Sequence, residues 1–198
     1  MTSVLDMAAP KFHWSHADSF GGGESEYIKS FIHHQYAIGM HTHSFCELNV
    51  VLSGKGRHYI ERMSFEAGTG CVFVIPPHVR HGYVNEGGLD VYHMLIHRDF
   101  FDSCFSEFRK LAGYSMLFEI EPYLRGNYQE SLFLILSEEE LGDLRRDIHA
   151  IECSVAVSDA DIYINAIAKK ILAQLCLLMA QRKGVEQLKL SPQKELGA

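Results

Sequence analysis

The chain has 198 residues and a formal net charge of −7, from 18 Lys and Arg against 25 Asp and Glu. Its length and its 47% hydrophobic content fit one domain with a real core plus an appended helical element, and exclude long disorder. The acidic balance excludes a grip on phosphate backbone through a basic face of the chain's own.

Residues Met1 to Trp14 lack a basic segment followed by an apolar run, so no secretory signal is visible. No stretch reaches the roughly 18 uncharged apolar residues of a membrane span, and no membrane partner is expected. Five cysteines at irregular spacings, without a C-x-x-C pair, read as reduced thiols in a cytoplasmic chain. The histidines concentrate between His13 and His97, which directs the search for chemistry to the first half.

Residues 1–25 read as an N-terminal segment. From 26 to 98 the pattern is of short strands: Tyr27–His33, Phe45–Leu52, Arg57–Glu61, Cys71–Ile75 and Leu89–His97. They are rich in Val, Ile, Phe and Tyr, and turns at Gly54-Lys55-Gly56, Gly68-Thr69-Gly70, Pro76-Pro77 and Gly87-Gly88 separate them. Many short strands without helical crossovers imply a β-sandwich or barrel.

The region 99–184 reads as helical. Asp99–Ala112 is an expected helix, and Tyr114–Leu136 is a mixed connection. Ser137 with Glu140 three residues on is a capping-box pattern. Leu141, Leu144, Ile148, Ile151 and Val155 follow at heptad spacing. A further helix is expected from Ser158 to about Lys183, stopped by Gly184. It is apolar around more than one face, so one side suits its own domain and the other a symmetric partner. Residues 185–198 read as a linker or tail.

Residues 41–54 place H-x-H, then three residues, Glu47, six residues and Gly54. In an extended chain His41, His43 and Glu47 share parity, so one strand can aim two imidazoles and a carboxylate into one space. Such a set suits Zn, Fe, Mn or Ni, or it forms a hydrogen-bonded polar cluster in which His43 and Glu47 pair. Further on, Gly70 is followed after five residues by Pro76, then His81 and Asn85. Cys46 has the parity opposite to Glu47, which argues against a catalytic thiol.

These two segments resemble the two cupin motifs, matched at His41, His43, Glu47 and Gly54, then at Gly70, Pro76, His81 and Asn85. The first motif's leading glycine falls at Gln35 here, and the second motif's inner glycine at His78. The resemblance implies a mainly β fold, the cupin double-stranded β-barrel or jelly roll, with two to three C-terminal helices. It also nominates His41, His43, Glu47 and His81 as ligands of a divalent metal: Zn, Ni, Fe or Mn.

A narrower resemblance joins His41-x-His43-x-Phe45-x-Glu47, Val51–Gly56, Gly70-x-x-Phe73-x-Ile75-Pro76, His81 and Leu89–Ile96. This run is similar to the N-terminal effector-binding and dimerisation domain of AraC-type transcription regulators. That implies a small-molecule effector inside the barrel and a homodimer through the late helices. It also implies DNA binding only through a domain outside this chain, since the residues after Gly184 do not suit the family's two helix-turn-helix motifs. His58, Tyr83, Tyr92 and His93 are the candidate effector contacts. The alternative is a free-standing metal-dependent cupin enzyme, a dioxygenase or isomerase, with His58, Tyr92 and His93 as candidate acid–base groups.

Overall fold

The first half of the chain, rich in β-branched and aromatic residues, forms seven strands of one sheet, two of them lying off its main path. In the computed structural model these are β1 (Phe12–Trp14), β2 (Ile28–His43), β3 (Cys46–Ser53), β4 (Lys55–Ile60), β5 (Met63–Gly68), β6 (Val72–Ile75) and β7 (His81–Ile96). The structure describes residues 12–15, 18–19, 28–97, 99–100, 106–128, 133–154 and 160–190. The sheet order is β1-β2-β7-β3-β6, with β4 pairing both β5 and β7.

β7 is the spine. Antiparallel to β2 along its length, it pairs with β4 through residues 81–85 and with β3 through residues 90–96. This change of partner wraps the sheet into a barrel, and the expected Gly87-Gly88 turn is a bend within one strand. Gly54 explains its own identity at this corner. Its φ is +83°, and a Cβ there would lie 1.4 Å from the Gly88 carbonyl oxygen. Gly70, at φ +88°, is equally constrained, because a Cβ would lie 2.6 Å from the Leu136 carbonyl oxygen. His78, at the second motif's inner glycine position, takes the left-handed conformation at φ +65°, and its N–H donates to the His43 carbonyl at 2.7 Å.

Two cores follow from the strand period of two. Val51, Phe73, Ile75, Tyr83, Leu89 and Val91 fill the barrel interior. Leu48, Val50, Val72, Val74, Met94 and Ile96 point outward and pack beneath the helices. The helices are α1 (Glu121–Tyr128), preceded by a π-helical turn Met116–Ile120, α2 (Glu138–Ser154) and α3 (Asp161–Leu190). The heptad positions Leu141, Leu144, Ile148 and Ile151 are all buried in this seam. They pack within the chain. The capping box forms: Ser137 N–H donates to Glu140 Oε2 at 2.6 Å, and Glu140 N–H to Ser137 Oγ at 3.3 Å.

Several expected elements differ. β2 extends ten residues past His33 to His43, and β5, unrecognised in the sequence, buries Phe65 and Ala67 in alternation with exposed Ser64 and Glu66. Of the expected helix Asp99–Ala112, Asp99 and Phe100 are helical, Phe108–Lys110 is a 3-10 turn, and residues 101–105 lie outside the described residues. Ser158 and residues 191–198 also lie outside them. Gly184 does not stop α3, which continues to Leu190, so 185–190 is helix rather than tail. A glycine costs a helix only about 1 kcal/mol, and the good helix formers Arg182, Lys183, Glu186, Gln187 and Leu188 lie close on either side. Part of α3, Asp161–Arg182, is long and apolar enough by length and composition to cross a membrane. Here Ile171, Leu172, Leu175, Cys176 and Met179 of that helix are buried in the seam with the barrel.

Candidate functional site

Glu47 is the centre of the site. On β3 it alternates with Leu48, so its side chain enters the barrel while Leu48 faces the helices. His41 and His43 end β2, the chain bends at Ser44 and Phe45, and Glu47 follows on β3. The motif therefore spans two strands rather than one, and a crossover over the end of β7 brings its groups together. His81 begins β7, opposite His41 in register.

The three motif histidines are oriented in the same way. Nδ1 of His41 donates to the Gly39 carbonyl at 2.9 Å, that of His43 to Phe45 at 2.7 Å, and that of His81 to Val79 at 3.1 Å. Carbonyl oxygens only accept, so each Nδ1 carries a hydrogen and each Nε2 is left for the interior. Nε2 of His43 and Nε2 of His81 both meet Glu47 Oε2, at 3.0 and 3.1 Å. His93 Nδ1 donates to Oε1 at 2.5 Å. Asn49, with its amide nitrogen toward Oε1 at 3.0 Å, accepts from the Tyr83 hydroxyl at 3.1 Å. Burial alone would raise the Glu47 carboxyl, but hydrogen bonds from His43, His81 and His93 hold it well below the usual range. Burial, helped by nearby His81, pulls the His41 ring down to about 4.

This geometry poses a chemical demand. With Nδ1 hydrogens committed to carbonyls, a neutral His43 or His81 would turn a lone pair toward the carboxylate. The contact is favourable only if both rings carry second protons, or if a cation lies among the lone pairs. Two imidazolium ions against one carboxylate, all buried, is the costlier solution. One ligand atom each from His41, Glu47 and His81 lies within 4.8 Å of the others. Two imidazoles and a carboxylate fit a divalent transition metal.

The site opens into a cavity of about 290 Å³, walled by the rings of Trp14, Phe31, Phe45 and Tyr83 and by Ile38 and Leu95. Aromatic rings pack on the histidines: Trp14 on His41 at 4.6 Å between centroids, Phe45 on His43 at 4.4 Å, and Phe31 on His93 at 5.1 Å. Asp18 and Lys29 lie on the same lining. Of the four candidate effector contacts, Tyr83 and His93 line the cavity. His58 is fully buried, stacked on Tyr83 at 4.0 Å, and neither ring nitrogen has a hydrogen-bond partner. Burial holds its ring well below its ordinary value. Tyr92 is a correction: one residue before His93, it projects from the opposite face of β7 into the helix seam, and so forms no part of the cavity wall. Asn49 was legible by its parity with Glu47. Trp14 was not, because only the parallel pairing of β1 with the end of β2 brings it to His41.

Residues 25–190 match the family model described as the AraC-like ligand binding domain. No curated protein matches the chain. Among solved structures, a cupin-2 domain containing protein from Shewanella frigidimarina is 16% identical, with a TM-score of 0.34 over 38% of this chain and 76% of that one. A cupin protein from Bacteroides fragilis is 20% identical, with a TM-score of 0.34 over 37% of this chain and 68% of its own. Oxalate decarboxylase of Bacillus subtilis, a protein with Mn(II) centres, is 22% identical, with a TM-score of 0.33 over 37% of this chain and 22% of its own.

Proposed function

The chain belongs to the AraC-like ligand binding domain family, and from that premise we propose that it senses a small effector in the barrel cavity, over a divalent metal held by His41, Glu47 and His81. The observation that carries this reading is the histidine–carboxylate cluster at the floor of the 290 Å³ cavity. His43, with Nε2 on Glu47 Oε2, is the fourth ligand or the group that orients the carboxylate. When bound, the metal supplies a Lewis-acidic position to an effector oxygen. Tyr83 and His93 orient the effector from the wall, while His58 packs behind Tyr83 and supports it from the interior.

The response passes from β7 to the helices. The strand that carries His93 on its inner face carries Tyr92 and Met94 on its outer face, against the α2–α3 seam. An effector biases this element only by its different affinity for two arrangements. A homodimer through the exposed apolar residues of α3, Ile162 at 84% and Leu177 at 49% exposure, relays that bias. DNA is contacted through a separate domain of the regulator, and the location is cytoplasmic. Among the described residues, no acid–base pair beyond the cluster favours the enzyme reading.

A thermal-shift screen of small metabolites against wild type and His93→Ala tests the sensing function. A compound that stabilises wild type and not the variant is expected. Equal stabilisation of both by every binding compound would contradict a role for the cavity. Sedimentation of Ile162→Lys tests the dimer: loss of dimer is expected, and an unchanged dimer contradicts the α3 interface.

A further inference from the structure

The two oxygens of Glu47 have different neighbours. Oε2 meets ring nitrogens of the motif, Nε2 of His43 at 3.0 Å and of His81 at 3.1 Å. Oε1 meets groups from outside the motif, His93 Nδ1 at 2.5 Å and the Asn49 amide nitrogen at 3.0 Å. These two nitrogens are 2.9 Å apart and converge on the one oxygen. Strand register puts them there. Asn49 of β3 and His93 of β7 are direct cross-strand partners, and Asn49 stands two residues from Glu47 on the same face of β3. A carboxylate accepts and does not donate, so each contact at Oε1 is a hydrogen bond from the barrel wall to Glu47. Stacking on Phe31, at 5.1 Å between centroids and 14° between planes, holds the His93 ring in that plane.

The Asn49 amide serves Glu47 in one orientation. Turned the other way, its oxygen faces Oε1, acceptor against acceptor in a buried space. Tyr83 matches the orientation that serves Oε1, since its hydroxyl at 3.1 Å donates to the amide oxygen. Tyr83 is held in turn by His58, its cross-strand partner on β4, stacked on it at 4.0 Å. We propose that His93 and Asn49 are positioning residues of the metal centre: they occupy Oε1 and so leave Oε2 as the single Glu47 oxygen for a divalent cation, with Tyr83 setting the Asn49 amide. This rests on the cluster being a metal site, and it names the residues that set its geometry. Because His93 also lines the cavity, the contact that orients Glu47 lies on the wall that an effector meets.

Competition of zinc and of cobalt(II) with a chelator, on the purified chain, compares wild type with His93→Leu, His93→Asn and Tyr83→Phe. Melting in chelator shows which variants fold. His93→Leu removes the donor and is expected to weaken metal binding by about 10–100-fold. His93→Asn places an amide nitrogen where Nδ1 stood and is expected to restore most of that loss. Tyr83→Phe loosens the Asn49 amide and is expected to weaken binding by about three- to tenfold. The cobalt(II) absorption spectrum gives a second readout. His93→Leu releases both Glu47 oxygens to the cation, so the coordination number rises and the visible bands weaken, while His93→Asn keeps the wild-type bands. Affinity in His93→Asn no better than in His93→Leu overturns the hydrogen-bonding role, and so do wild-type affinity and bands in the variants that fold. If His93→Leu does not fold, wild-type affinity in Tyr83→Phe or a tenfold loss in His93→Asn overturns it. A wild type that binds metal beside indifferent variants leaves the metal reading standing, whereas a wild type that binds neither metal at saturation sinks both.

Discussion

Replacing Glu47 by Gln removes one charge while keeping the shape. Glu47 is 5% exposed, and its carboxylate takes contacts from His43, His81, His93 and Asn49. Breaking a buried ion pair from one side costs about 3–5 kcal/mol. The amide keeps one acceptor oxygen for His93, which places the loss near the lower figure, about 3 kcal/mol. For a domain of this size that is a fall of about 6–12 °C in Tm. The acid dependence has a definite sign. The Glu47 carboxyl lies well below its ordinary 4.5 in the folded state, so the unfolded chain takes up its proton first. The wild type's advantage over Glu47→Gln is therefore complete above about pH 5 and shrinks as pH falls through the depressed value. Urea denaturation of both proteins in chelator, from pH 7 downward, measures it. Equal stability at pH 7, or an advantage that grows on acidification, would refute a charged carboxylate held by the histidines.

Other outcomes follow from the same geometry. His41 is depressed from 6.5 to about 4 by burial and by nearby His81, so the metal-free protein loses stability as pH falls from 6.5 to about 4. The loss is about 1.4 kcal/mol per pH unit, roughly 3 kcal/mol in all. His41→Asn should flatten that limb of the pH–stability curve. Gly54→Ala, whose Cβ would overlap the Gly88 carbonyl at a positive φ, should unfold the barrel corner, read as loss of soluble protein or of the cooperative melting transition. Ile148→Ala, in the helix seam, should cost about 2–5 kcal/mol in urea titrations while metal content stays unchanged.

The site was more legible in the sequence than the strands that build it. The spacing of His41, His43, Glu47 and His81 survives in the fold because these residues stand at the ends of β2, β3 and β7, where register fixes them. Gly54 and Gly70 were legible because only glycine fits there. Strand limits were not, since β2 continues through the polar run His33-His34-Gln35, where pairing with β7 outweighs composition. Tyr92 and His93 show the sharpest limit: adjacent in sequence, they face different cores, and only the register of β7 says which faces the cavity. The wall formed by Trp14 depends on a parallel pairing across 29 residues, from Trp14 of β1 to His43 of β2, and no local pattern encodes it.

Anomalous diffraction from crystals of the purified chain, paired with metal analysis of the same preparation, tests the central claim most directly. The account predicts about one transition-metal ion per chain, with its anomalous peak among His41 Nε2, a Glu47 oxygen and His81 Nε2. A cluster without a peak after saturation with zinc, its histidines in hydrogen bonds to Glu47 alone, would contradict it.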